Sequence, residues 1–244
     1  MPLVLAESLS KYYGGGGGTR VCALDGVSFA IEEGEYVAVM GPSGSGKSTL
    51  LAILGAMSPP SSGALTIDEI EVYGLPQEKR ADFRREYLGF VFQQLQLIPY
   101  LSALENVMLP LVITNHKDKD KKELALNTLA KVGLANKVNR LPSELSGGEQ
   151  SRVAIARAVV NNPPILLADE PVGSLDTKTG NEVLELFKKL HEEGQTIIMV
   201  THNPESIRDA GRLITLRDGR IVEDIKANDI DGMRLTECAI FTDV

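Results

Sequence analysis

The chain has 244 residues, with 33 acidic against 25 basic side chains and a formal charge of −8, a balance that argues against a broad nucleic-acid-binding surface. Its apolar fraction of 43 % is enough for a sizeable core, which excludes a disordered chain, and no apolar run approaches the ~18 residues that cross a bilayer. Cys22 and Cys238 stand far apart and in no metal-binding spacing, the pattern of reduced thiols; the stretch from Met1 to Glu7 lacks the basic-then-apolar order of a signal peptide.

Residues 3–7, 20–24 and 27–31 read as short strands, with Gly14 to Gly18 as a flexible connection. Gly34-Glu35 turns the chain into an apolar strand over 36–40, and a helical pattern follows from about residue 47. Pro59-Pro60 breaks it, 64–72 gives more strand, 78–86 reads as a surface helix and 88–92 as another strand. From about 95 to 160 the pattern is helical, with a start at Ser102; the charge-dense run from Asn115 to Glu123 reads as an exposed face or loop tip. Ile165 to Ala168 and Thr196 to Thr201 are apolar enough for buried parallel strands, separated by an amphipathic helix over 178–193. Residues 213–216 and 221–223 form a hairpin around Asp218-Gly219.

The chain is organised around the segment from Gly41 to Thr49. Gly41-x-x-x-x-Gly46-Lys47-Ser48 fits the phosphate-binding P-loop, in the strand–loop–helix setting that this motif requires. Glycines at 41, 44 and 46 let backbone N–H groups, together with those of Ser43 and Ser45, turn toward one anion, and the helix that follows presents its positive end to it. Lys47 reaches the β/γ-phosphates, the Ser48 hydroxyl is placed to ligate Mg²⁺, and Thr49 lies in the same first turn. A nucleoside triphosphate is the expected ligand. Asp169-Glu170 ends an apolar strand with two carboxylates. If that strand lies beside the P-loop strand, Asp169 reaches the Mg²⁺ side of the phosphates and Glu170 can deprotonate an attacking water. Ser146-Gly147-Gly148, opening a helix, is a second anion-type site. Either both sites touch one nucleotide, or each serves a different one across a dimer interface.

Leu145-Ser146-Gly147-Gly148-Glu149-Gln150 resembles the signature motif of the ATP-binding cassette (ABC) ATPases. The resemblance extends over the whole chain in that family's order of motifs. It implies an α/β fold: a P-loop NTPase core of mainly parallel sheet, an N-terminal antiparallel β subdomain and an α-helical subdomain inserted over roughly 95–162, all in one nucleotide-binding domain spanning 1–244. It implies that Tyr13, next to Tyr12, stacks on adenine, and that Gln93 joins Ser48 and Asp169 around Mg²⁺ and links the attacking water to the transporter contact surface. Ser174-Leu175-Asp176 resembles the D-loop at the dimer interface, and His202 the switch histidine on the γ-phosphate. Glu170, His202 and Gln93 are then the catalytic group, ATP and Mg²⁺ the cofactors, and a second copy supplies Ser146, Gly147, Gly148, Gln150 and Asp176 head to tail.

The stretches Phe90 to Gln94, Leu97-Ile98-Pro99 and Leu104 to Val107 are similar to the lipoprotein-releasing, macrolide-export and cell-division groups of the family. That finer likeness implies a separate integral membrane permease subunit, peripheral attachment at the cytoplasmic face and no nucleic-acid partner. The work implied is export, lipoprotein release or mechanotransmission. An ATP-operated switch controlling a membrane-linked cell-wall process is the alternative.

Overall fold

The computed structural model describes residues 1–14, 20–114 and 117–226. In chain order these give β1 (Val4–Tyr13), β2 (Val21–Ile31), β3 (Tyr36–Met40), α1 (Lys47–Leu54), β4 (Ser62–Ile67) and β5 (Ile70–Glu71). Next come α2 (Gln77–Tyr87), β6 (Leu88–Val91), α3 (Ala103–Met108), α4 (Asp118–Lys131) and α5 (Gly147–Val159). The chain continues through β7 (Ile165–Asp169), α6 (Thr177–Glu192), β8 (Thr196–Val200), β9 (Arg212–Arg217) and β10 (Arg220–Lys226).

Two sheets organise the molecule. An antiparallel sheet runs β2-β1-β4-β5, and a six-stranded sheet runs β10-β9-β3-β8-β7-β6, parallel from β9 to β6 with β10 antiparallel at its edge. The central strands are apolar on both sides because both faces are covered. Val37, Val39, Leu167, Ile198 and Val200 face a core shared with α1, α2 and the antiparallel sheet. The alternate residues Tyr36, Ala38, Leu166, Ala168 and Met199 face a second core under α6, whose Val183, Leu184 and Phe187 fill it. A third core lies among α3, α4 and α5, so the helices between β6 and β7 carry their own packing. The α/β fold with an antiparallel β part and a helical insertion is as expected.

Three local readings are refined. The strands expected over 20–24 and 27–31 are one strand, β2, beginning at Val21 and interrupted at Gly26 with φ 66°, where Ser10 Oγ accepts the Gly26 N–H at 3.0 Å. The strand expected over 64–72 turns back at Asp68 and Glu69, both with positive φ (48° and 64°), to form the short β4–β5 hairpin. Of the two readings of the charged run, exposed face or loop tip, the exposed face holds from Asp118 onward, on a helix and with Lys121 as its buried exception: Asp118 and Asp120 sit in the first turn, where the helix dipole favours negative charge. Lys121, Ala125 and Leu129 form its buried stripe at four-residue spacing. Lys121 is accommodated there because its ammonium donates to the Val112 carbonyl at 3.1 Å. Gly15 to Thr19, Asn115 with His116, and residues 227–244 lie outside the described residues. Most of the expected glycine connection, the start of the charged run and Cys238 fall within them.

Candidate active site

The C-terminal ends of the parallel strands form one edge, the usual ligand-binding edge of an open α/β sheet. In the ladder Val39 pairs with Val200, Val200 with Asp169, and Ala168 with Val91. One step further along each strand come Met40 leading into Gly41, Thr201 leading into His202, Glu170, and Phe92 leading into Gln93. The strand bearing Asp169 is not beside the P-loop strand: β8 lies between β3 and β7. The inserted strand carries Thr201 and His202 into the middle of the site, and Thr201 N–H donates to Val39 O at 3.1 Å, tying it to the P-loop strand.

The loop from Gly41 to Gly46 is shaped by what packs behind it. A Cβ at Gly41 would strike the Leu216 carbonyl of β9, and one at Gly46, where φ is 105°, would strike the Ala23 carbonyl of β2. Gly44, with φ 80°, has open space at the same position. Behind the loop the Gly219 N–H donates to Ser45 O at 3.0 Å, and Asp25 N–H to Gly219 O at 2.8 Å, so the β9–β10 turn braces loop and β2 together. The first turn of α1 has no side-chain cap and no acidic residue, which leaves its N–H groups at Lys47, Ser48 and Thr49 for an anion. Ser43 is exposed, whereas Ser45 is 2 % exposed and its hydroxyl has no partner among the described residues.

Lys47 donates to the carbonyls of Gly41 and Pro42 at 2.7 and 2.9 Å. Burial holds its ammonium below the ordinary lysine range, with the charges of Glu170 and Asp169 opposing that shift. Asp169 is displaced the other way: burial lifts its carboxyl above the usual aspartate range, Glu170 adds to the lift, and Lys47 opposes it. The start of α1 and the end of β7 therefore bring the lysine and both carboxylates into one electrostatic cluster.

Glu170 has φ 46°, an uncommon conformation for a residue with a side chain and one that clusters at functional sites. Its backbone N–H donates to Val200 O at 2.9 Å. Its carboxylate lies 2.6 Å from His202 Nδ1 and accepts from the Thr201 hydroxyl and the His202 N–H, both at 3.3 Å. Nδ1 and the carboxylate share one proton across this contact, and Nε2 lies on a ring whose side chain is 67 % exposed.

Gln93 is exposed beyond β6. Tyr13, 45 % exposed, pairs with Val21 of β2, two residues before the Ala23 that abuts Gly46. Its neighbour Tyr12 is covered by the Arg20 guanidinium, 3.9 Å from the ring centroid, and the Lys11 ammonium lies over the Tyr13 ring at 5.3 Å.

Ser146, Gly147 and Gly148 stand elsewhere. Ser146 caps α5: its hydroxyl accepts the Glu149 N–H at 3.3 Å while Glu149 accepts the Ser146 N–H at 2.9 Å. Gln150 turns back to donate to Pro142 O and Leu145 O at 3.0 and 3.1 Å. Asp176 caps α6 by accepting the Thr179 N–H at 3.1 Å. Gly148 is in contact with the Thr179 methyl, too closely for any side chain. No hydrogen bond or ion pair among the described residues joins this group to the loop at 41–46.

The family model described as "ABC transporter" matches residues 24–173, more than half of the chain. The chain belongs to the ABC transporter ATPases. This cassette is 51 % identical to an uncharacterized ABC transporter ATP-binding protein of Thermotoga maritima over 84 % of its own length and 88 % of the relative's. It is 45 % identical to a macrolide export ATP-binding/permease protein of Neisseria meningitidis over 93 % of its length, but spans only 35 % of that protein. Among solved structures, the dimeric post-hydrolysis state of the ATP-binding cassette MJ0796 bound to ADP and Pi matches with a TM-score of 0.83 and 44 % identity, covering 91 % of this chain and 98 % of that one. Membership implies the use of ATP and Mg²⁺. No helix among the described residues is long and apolar enough to cross a membrane.

Two contributors to the cassette's site are not apparent from motifs. Thr201 holds Glu170, and its position directly before His202 was the available signal. Gly219 braces the P-loop from a distant hairpin, which no local pattern announces.

Proposed function

We propose that the cassette hydrolyses ATP as the motor of a membrane transport complex, in a head-to-tail pair with a second copy. The observation that carries this reading is the division of the site. Residues fit to hold and cleave a triphosphate share one sheet edge, while Ser146-Gly147-Gly148, the second anion-type site, is held apart from them in the same chain. A second copy completes what one chain leaves open; the dimeric MJ0796 structures support the pairing of two cassettes.

Within each site the uncapped start of α1, Lys47 and the hydroxyls of Ser48 and Thr49 receive the phosphates, with Ser43, Gly44 and Ser45 lining the loop. Ser48, Asp169 and Gln93 supply the oxygen donors that suit Mg²⁺, which when bound neutralises charge on the phosphates. Glu170 takes the proton of a water that attacks the γ-phosphorus, and the bond to the departing ADP oxygen breaks. His202 holds Glu170 through Nδ1, and its Nε2, when protonated, donates to the γ-phosphate. Tyr13 stacks on adenine. Gln150 and Asp176 support the partner-facing surface, Gln150 by fixing the turn before α5. The cassette works against a membrane permease at the cytoplasmic face; the name of the Neisseria relative, an ATP-binding/permease protein, supports such a partner.

Glu170→Gln tests the chemistry. It is expected to retain ATP binding, read by a fluorescent analogue, and to lower turnover by ~10²–10⁴-fold, the range of a general base. Turnover within a factor of about two of the native chain would remove Glu170 from this role.

A further inference from the structure

Between β6 and α3 the chain is held by side chains of the helical part. Leu95 and Gln96 are consecutive non-glycine residues with φ of 51° each, a conformation that side chains disfavour and that rarely occurs twice in succession. The Arg157 guanidinium, from the last turn of α5, donates to both of their carbonyls: Nη2 to Leu95 O and Nη1 to Gln96 O, each at 2.6 Å. Just beyond them, Asn106 of α3, fully buried, accepts from Ile98 N–H at 2.8 Å and donates to the carbonyls of Ile98, Leu101 and Ser102. On the other side, Phe92 stacks on Phe90 of β6 with ring centroids 5.3 Å apart. The exposed pair Gln93-Gln94 is therefore the joint between a part anchored in the sheet and a part anchored in the helices.

Arg157 is otherwise a poor place for a cation. It makes no ion pair among the described residues, and burial lowers its pKa. It lines a groove of about 280 Å³ with Arg85, Phe90, Phe92 and Pro110, and no carboxylate there offsets its charge. Its two carbonyl partners are what the position provides, and a guanidinium fork is suited to holding two neighbouring acceptors at once.

We infer that Arg157 is a positioning residue for Gln93, clamping Leu95 and Gln96 in the left-handed conformation so that the chain leaves Gln93 in a fixed direction. The inference rests on the proposed role of Gln93 in the ATP site. It also gives α5 a second task. Ten residues separate Gly147 from Arg157, roughly 15 Å of helix, so a displacement of α5 moves both the Ser146-Gly147-Gly148 end and the segment after Gln93.

The test compares Arg157→Ala, Arg157→Lys and Gln93→Ala in the full chain, measuring ATP kinetics, thermal midpoint and amide hydrogen exchange. Arg157→Ala is expected to lower kcat on the order of tenfold with KM for ATP changed less than about threefold, and to speed exchange of the 95 and 96 amides by about tenfold or more. Adding Leu95→Gly and Gln96→Gly should recover part of the lost kcat, because glycine adopts the left-handed conformation without a clamp. A purely structural role for Arg157 would not be rescued this way. Unchanged exchange at 95 and 96 overturns the clamp, and lowered kcat without recovery by the glycines overturns the positioning. If Arg157→Ala fails to fold, Arg157→Lys must show both changes in weaker form, and native behaviour in that variant overturns the proposal. Full kcat in Gln93→Ala removes the reading of Gln93 and with it the catalytic consequence, while the exchange data judge the clamp separately.

Discussion

Asp169 carries a cost that its neighbours do not cancel. Its folded-state pKa is raised, chiefly by burial and then by Glu170, so the native chain binds that proton more tightly than the unfolded chain does. The ionised form therefore lowers stability above the raised pKa, and the loss is relieved as pH falls through it. Lys47 has the opposite sign: its lowered pKa, from burial, makes the charged ammonium a cost below that value, relieved as pH rises. Asp169→Asn in the nucleotide-free chain is thus expected to raise the thermal midpoint at neutral pH and to narrow its difference from mildly acidic pH, while abolishing most ATP turnover. A lowered midpoint would show that the carboxylate is stabilised by its surroundings. At this scale the sequence reveals residue types well and their states poorly. Asp169 and Glu170 are adjacent carboxylates in the chain, yet only the structure shows one half-buried in the field of Lys47 and the other turned through a positive φ onto His202.

Among the elements, α5 depends on its first turn. The reciprocal bonds between Ser146 and Glu149 satisfy two of the helix's free donors, and Ser146→Ala is expected to cost about 1 kcal/mol. Glu149 is held below the usual glutamate range, first by the Ser146 N–H, with Lys137 also contributing. Its contribution is complete above the ordinary glutamate pKa and is lost as pH falls through the depressed value. Glu149→Gln keeps the reciprocal bond without the titration, so its acid-unfolding curve, followed by circular dichroism, should be less steep on that limb than that of the native chain. An identical curve would mean the cap contributes nothing through charge. This cap is legible from Ser146 and Glu149 at three-residue spacing, as is the start at Ser102. The beginning of α4 is not, because dense charge hides the buried stripe of Lys121, Ala125 and Leu129. Nor is the bend in β2, where Gly26 interrupts one strand and imitates the gap between two.

For the whole molecule, strand order is the feature that local pattern does not contain. The runs at 36–40, 165–168 and 196–201 are each recognisable as buried strands, but nothing within them states that β8 separates β3 from β7. That order places His202 between the P-loop and Glu170. The same limit applies to Arg157, whose partners lie about sixty residues earlier in the chain. The larger consequence of the proposed head-to-tail pairing is that one chain would hold half of each ATP site. Its most direct test is cross-linking between copies. In a background with Cys22→Ser and Cys238→Ser, one preparation carries Ser43→Cys and another Ser146→Cys, both at exposed positions. Mixed under oxidising conditions with ATP and with Glu170→Gln to slow hydrolysis, they should give a covalent dimer that neither preparation forms alone and that does not form without ATP. A covalent dimer from Ser43→Cys alone, or no dimer from the mixture despite bound ATP, would contradict the head-to-tail site.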